Sequence, residues 1–266
     1  ADTILNVATA GDQNMVDYVK TWLGPKFEAA HPGVKVRVIG TGPGDAGSNK
    51  ISEKLTAQQE SGAQQWDIDV AVVHQKAGGE QVAKGLLQKY RQDIQTGGMV
   101  SSPSATQALG VNVDGYVMPM FLSQTAIAWN SDLVTTPPAS YDELVAWTQK
   151  HPQAFGYNGI KNGMSGVSFV VGWIYAYGTD AQRLSAGPYD KSVEKGWQQA
   201  YEKLKAFNKN VTFTPGNAGT LDMLSRGEIA MGPVWVDMFY SWKDQGKLPP
   251  SIKLALLAPG MPGQPR

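Results

Sequence analysis

Alternation of strand and helix patterns over the first ~85 residues constrains this chain more than any other feature. "TILNVAT" (3–9) is rich in β-formers, and from Asp12 to Ala30 the apolar residues Met15, Val19, Leu23 and Phe27 recur every four positions. That spacing predicts a helix with one buried stripe, and Trp22 beside it is expected in the core. "HPG" (31–33) stops the helix, because proline disfavours helical backbone in the residue before it. "VKVRVIG" (34–40) alternates as a strand, "GTGPGDAGSN" (40–49) reads as a polar, glycine-rich loop, and "KISEKLTAQQE" reads as helix. "DIDVAVVH" (67–74) is a third strand, apolar enough to be covered on both faces. Strand–helix–strand–helix–strand implies a mostly parallel sheet with crossover helices.

The texture then changes. Residues 97–114 hold small and turn-forming residues without a period, and "GYVMPMFLSQTAIAWN" (115–130) reads as two short strands around Pro119. "PPASYDELVAWTQKHP" (137–152) is a helix opened by Ser140 with Glu143 three positions on, a capping box. Helices follow at 166–178, 193–210 and 220–227, and "SRGEIAMGPVWVDMFYSW" (225–242) reads as a buried strand carrying two tryptophans and an aspartate. A lobe boundary falls within 115–124, giving an α/β lobe at 1–119, a second at 120–258 and a returning hinge from 259 to 266.

A chain of 266 residues suits two such lobes. Lys+Arg and Asp+Glu both number 23, so the net charge is zero and the basic stripe needed for DNA or RNA is missing. No apolar run reaches the ~18–20 residues of a membrane-spanning helix. Without cysteine there is no disulfide, no thiolate catalysis and no Cys-based zinc site, and the three histidines stand far apart, so no metal site is expected. An alanine directly before a strand, as in "ADTILNV", is what signal-peptide cleavage leaves behind.

"GPGDAG" (42–47) matches the literal G-x-G-x-x-G pattern, with Asp67 and Asp69 further on. Pro43 occupies the tight turn, however, and the motif follows the second strand instead of the first. A nucleotide-dependent α/β enzyme using loop 40–49 is therefore the alternative function. No H-E-x-x-H and no G-x-S-x-G occurs, and no catalytic residue or cofactor is expected. Polar residues collect where the three strands end: Asp12 and Gln13; Thr41, Asp45 and Asn49; His74 and Gln75. Loops at the carboxyl edge of a parallel sheet are where α/β proteins bind ligands, so these residues are candidates for a pocket rim.

The order of segments resembles the periplasmic solute-binding proteins of ABC importers, family 1, the relatives of maltose-binding protein. The resembling stretches are "NVATAGDQNMVDYV", "FEAAHPGVKVRV", "WDIDVAVVH", "MPMFLSQTAIAWNSDLV" with "PPASYDELVAW", and "RGEIAMGPVW" leading to "LALLAPGMPGQP". The resemblance implies a two-lobed α/β fold of the type II periplasmic-binding class, with crossing hinge strands and a ligand cleft between the lobes. Carried over by position, it implies ligand contacts from Asp12, Gln13, Ser123, Gln124, Ser165, Ser168 and Trp235. Trp235 would face the ligand and Asp237, two residues along the same strand, would share its face. Trp173 joins the candidates as an aromatic able to stack on a sugar or a cation. The implied function is capture of a small polar solute, with a carbohydrate or polyol favoured over an organophosphate or amine, and delivery to a membrane permease by hinge closure. The implied protein is a periplasmic, non-enzymatic monomer that binds no nucleic acid. In the family the chain after "PGMPGQP" returns to the first lobe; here it stops at Arg266, so first-lobe apolar surface is expected to be exposed and an extended chain to be more stable.

Overall fold

The computed structural model describes residues 1–186 and 189–265. These divide into two compact units, one of Ala1–Leu122 with Gln264–Arg266 and one of Ser123–Gly263.

In the first unit β1 (Thr3–Ala10) leads into α1 (Gln13–Tyr18), a π-helical turn (Val19–Leu23) and α2 (Gly24–Ala30). After these come β2 (Val34–Gly42), α3 (Gly44–Glu60), β3 (Val70–Val72) and α4 (Gln75–Ala83). The strands form one parallel sheet in the order β2-β1-β3, as the alternating pattern predicts. A small core of Ala8, Ala10, Ile51, Leu55 and Leu86 lies under its carboxyl half. A short hairpin of β4 (Gln107–Ala108) and β5 (Val111–Asn112) follows.

Four expectations fail in this unit. The wider π turn advances the buried stripe, so Met15, Val19 and Gly24 are covered while Leu23 and Phe27 are exposed. Trp22 is 48% exposed instead of buried, and its ring lies under the Lys26 ammonium, 4.0 Å from the centroid. Strand β3 is an edge strand with Val70 exposed, so it is not covered on both faces. The supposed loop 40–49 is largely helix: α3 starts at Gly44, since Gly42 and Gly44 take positive φ (95° and 69°) and turn the chain sharply around Pro43.

The chain passes through β6 (Leu122–Ser123) into β7 (Thr125–Asn130), α5 (Tyr141–Lys150), β8 (Phe155–Tyr157), α6 (Met164–Tyr177) and α7 (Ala181–Ala186). Then follow α8 (Gln198–Asn208), β9 (Val211–Phe213), α9 (Asn217–Ser225), β10 (Met231–Trp235), α10 (Val236–Asp244), β11 (Ile252–Ala255) and β12 (Gln264–Pro265). The second unit's sheet has the order β11-β7-β10-β8-β9, with β7 antiparallel to both neighbours and β10, β8 and β9 parallel. Strands β3 and β7 belong to different sheets, as two separate lobes require. The capping box at α5 forms: the Glu143 amide donates to Ser140 Oγ (3.2 Å), and the Glu143 carboxylate reaches back to the Ala139 amide (2.7 Å).

Two cores flank this sheet. One gathers Tyr141, Phe155, Tyr157, Phe169, Trp173 and Phe207, and the other holds Leu221, Leu224, Val234, Trp235, Met238 and Phe239. Burial pushes the Tyr157 phenol up to about 12 and raises Tyr141 further above the ordinary value of 10.0. An unfolded chain would ionise these tyrosines near pH 10, while the folded one holds their protons. Between those limits the folded state binds more protons, so stability present below pH 10 is lost as pH rises. The expected outcome is a urea midpoint that falls steeply above pH 10 and falls less in Tyr157→Phe, by about 2–3 kcal/mol at the alkaline end. Parallel pH curves for the two proteins would show that this ring does not contribute.

Candidate functional site

In the first unit, the carboxyl ends of all three parallel strands meet. The Gly11 amide donates to the Gly42 carbonyl (2.9 Å), tying the loop after β1 to the end of β2. Thr41 Oγ1 lies within hydrogen-bond distance of two carbonyls, Gly47 (2.8 Å) and Thr9 (3.2 Å), so Thr41 braces the turn. Asp12 sits half-buried at the N-cap of α1, and exposed Gln13 donates to Asp17 (3.0 Å). Because α3 begins at Gly44, exposed Asp45 and Asn49 occupy its first turns instead of a loop. Lys76 of α4 pairs with Asp45 at 3.3 Å, linking the third loop to the second.

His74 is buried at the N-cap of α4, where its Nδ1 shares a 2.7 Å hydrogen bond with Ser48 Oγ of α3. Gln75 follows it, half-buried. The structure thus assembles the first-unit candidates at one sheet edge, with Thr41 and His74 bracing it from below. Ser48 escaped sequence reasoning because a serine inside an expected loop carries no periodic signal.

The glycines of "GPGDAG" have local reasons to be there. A Cβ on Gly47 would collide with the Gly42 carbonyl oxygen. Asp67 pairs with Lys54 at 2.6 Å, and that ammonium holds its carboxyl below the ordinary carboxylate value. Asp69 accepts from the amide and side chain of Asn6 (2.7 and 3.1 Å). Both acidic residues that would serve a nucleotide ribose are engaged within the protein.

In the second unit two candidates hold the Met261–Pro262 segment and two more pair with each other. Gln124 Nε2 donates to the Met261 carbonyl (3.0 Å), and Ser168 Oγ of α6 donates to the Pro262 carbonyl (2.6 Å). Ser123 Oγ donates to the Asp237 carboxylate, and the Val236 amide donates to the Gln124 carbonyl (2.9 Å). Asp237 does not share a strand face with Trp235. The strand ends at Trp235, and Asp237 stands in the first turn of α10, where a carboxylate suits the helix dipole.

Ser165 lies one turn before Ser168 but is fully buried in a knot that sequence reasoning missed. Its hydroxyl donates to Asn217 Oδ1 (2.6 Å), which also accepts from Asn158 Nδ2 (3.1 Å). This joins the N-terminal ends of α6 and α9. Trp173 must be withdrawn from the site: it is 0% exposed, and its indole N–H donates to the Ala200 carbonyl at 2.8 Å. Helical spacing placed it on the apolar face of α6, and that face is core. Trp235, at 4% exposure, packs with Val234, Met238 and Phe239.

Residues 22–265 match the bacterial extracellular solute-binding protein family. The chain belongs to it. The fold of this solute-binding protein is that of the two-lobed periplasmic binding proteins. Maltose-bound MalE3 of T. maritima superposes with a TM-score of 0.72 at 15% identity, over 99% of this chain and 70% of that one. An ABC-transporter solute-binding protein of Agrobacterium vitis S4 with bound D-mannitol gives 0.68 at 17%, over 96% and 63%. Iron-bound HitA of Pseudomonas aeruginosa gives 0.61 at 14%, over 96% and 69%. None of the curated proteins matches. At such identities the likeness concerns the fold alone. No helix among the described residues is long and apolar enough to cross a membrane, and none of their acidic and histidine side chains cluster in threes to hold a metal ion.

Proposed function

We propose that this solute-binding protein captures a small polyhydroxylated solute, a carbohydrate or polyol, outside the cytoplasm and hands it to the permease of an ABC importer. The observation that carries this reading is the chemistry of the two sets of polar groups. In the first unit Asp12, Gln13, Asp45, Asn49 and Gln75 surround the strand ends; in the second, Ser123, Gln124 and Asp237 stand together, with Trp235 ending the adjoining strand. Carboxylates and amides are acceptors and paired donor–acceptors suited to hydroxyl groups. An organophosphate calls for cations, and none of these candidate residues is one; Lys76 beside them is already paired with Asp45. An amine remains the second reading, favoured by the three carboxylates. These groups hold solute hydroxyls by hydrogen bonds, hinge closure is the capturing step, and no bond is made or broken.

The test is thermal unfolding of the purified chain against maltose, mannitol, a polyamine, glycerol 3-phosphate, ATP and NAD. A sugar or polyol should raise the midpoint, with about 2.7 kcal/mol of stabilisation at a hundredfold excess over Kd. Asp237→Ala should reduce that gain. A rise with ATP or NAD alone would overturn the receptor reading, and one with the polyamine alone would replace the solute class.

A further inference from the structure

Beside the solute candidates of the second unit, two polar atoms are buried without a counterpart. Trp235 is 4% exposed and Thr125 1%. Among the described residues neither the Trp235 indole N–H nor the Thr125 hydroxyl has a hydrogen-bond partner. A buried donor or acceptor left unpaired costs free energy, so each such group calls for a reason.

The register sets the two side chains together. Trp235 lies opposite Thr125 on the last rung of the β7–β10 ladder. The Val236 amide donates to the Gln124 carbonyl and the Asn130 amide to the Ala230 carbonyl, both at 2.9 Å, so the bonded rungs fall on even-numbered residues. Thr125–Trp235 is therefore a non-bonded rung, the kind in which facing side chains come closest, with Cβ atoms about 4.5–5.5 Å apart. Two residues before Thr125 stands Ser123, whose hydroxyl donates to the Asp237 carboxylate. The end of the ladder thus holds an indole donor, a hydroxyl that both donates and accepts, and a half-buried carboxylate acceptor.

The chemistry of this set decides what it can read. A solute hydroxyl can donate to a carboxylate and accept from an indole N–H at once. An ammonium has no lone pair for the indole, and a phosphate would meet Asp237 with like charge. The Trp235 ring already packs with Val234, Met238 and Phe239, which leaves its N–H edge for a ligand.

We propose that Trp235 and Thr125 form a hydrogen-bonding subsite for one solute hydroxyl, which donates to Asp237 and accepts from the Trp235 N–H. This rests on the carbohydrate or polyol reading above and narrows it: the subsite selects a hydroxyl against an amine, and Trp235 acts through its N–H instead of stacking.

The test uses the full chain with D-mannitol and maltose as probes and putrescine as the amine. Thr125→Val and Trp235→Phe each remove the polar atom and keep most of the side chain's volume. Without solute, Thr125→Val should keep or raise the urea midpoint, because its hydroxyl gives up no protein partner. Affinity for the sugar or polyol that binds should fall roughly tenfold in each variant. In proton–nitrogen correlation spectra, the indole peak missing from Trp235→Phe identifies Trp235, and in the unsubstituted protein that peak should move downfield as solute saturates. A lower midpoint in solute-free Thr125→Val would assign the hydroxyl to the protein's own network and overturn the subsite. So would full affinity in either variant, or an indole peak that does not move; these results leave the polyol reading standing. Binding of neither mannitol nor maltose by the unsubstituted protein, with or without binding of putrescine, would overturn that reading and the subsite with it.

Discussion

Trp173→Ala is expected to cost about 3–5 kcal/mol, because it empties the largest fully buried side-chain site of the second unit. The ring meets Tyr177 at 4.7 Å, Phe207 at 4.9 Å and Tyr141 edge-on at 5.8 Å, and these neighbours are fixed on α6, α8 and α5. Partial collapse is therefore all that can follow. The Ala200 carbonyl also loses its indole donor, while its place inside α8 leaves it the helical bond from the Leu204 amide, so no orphan is added. In urea the midpoint should fall while the slope stays the same. Trp22→Ala is the control: nearly half exposed, it should change stability by about 0.5 kcal/mol or less. Equal losses at the two positions would mean that the aromatic core does not carry the second unit.

Asn217→Ala is expected to cost about 3 kcal/mol or more, through unmade hydrogen bonds instead of lost volume. Asn217 Oδ1 serves three donors, Ser165 Oγ, Asn158 Nδ2 and the Ser165 amide at 3.4 Å, and all three residues are buried. Ser165 can still turn to Asn158 Oδ1 (3.2 Å), so one donor is rescued and the others are not. The backbone has little room to adjust, because a Cβ on Gly166 would already collide with the Gly159 carbonyl oxygen. Hydrogen exchange should rise in the first turn of α6 before it rises in β10. If the solute reading holds, that loosening also lowers solute affinity, since Ser168 on the same helix positions the Pro262 segment. An unchanged midpoint and unchanged exchange in α6 would show that the knot is incidental.

Trp173 and Trp235 show where sequence reasoning stopped. Both are aromatics in apolar segments, a pattern shared by pocket walls and cores. The chain does not state which neighbours will cover a ring. At Trp173 the decision lies with Tyr141, Phe169 and Phe207, brought in from α5, from the preceding turn of its own helix and from α8. The polar candidates fared differently, because strand ends are set locally. Once β1, β2 and β3 are parallel, the residues after them share one edge.

The sequence by itself determined the alternation of elements, the parallel first sheet, the cap at Ser140 and the family order of segments. Each depends on residues close together in the chain, where periodicity and capping act. Only the tertiary structure decided that Trp22 would lie outside and Trp173 inside, and that Asn217 would meet Asn158 and Ser165. It also decided that the chain would leave β10 at Trp235 and enter a helix at Val236. β10 extends only along its pairing with β7, from Met231 opposite Trp129 to Trp235 opposite Thr125. Beyond that partner one more cross-chain bond forms, from the Val236 amide to the Gln124 carbonyl, and the carbonyls that follow turn to helical hydrogen bonds.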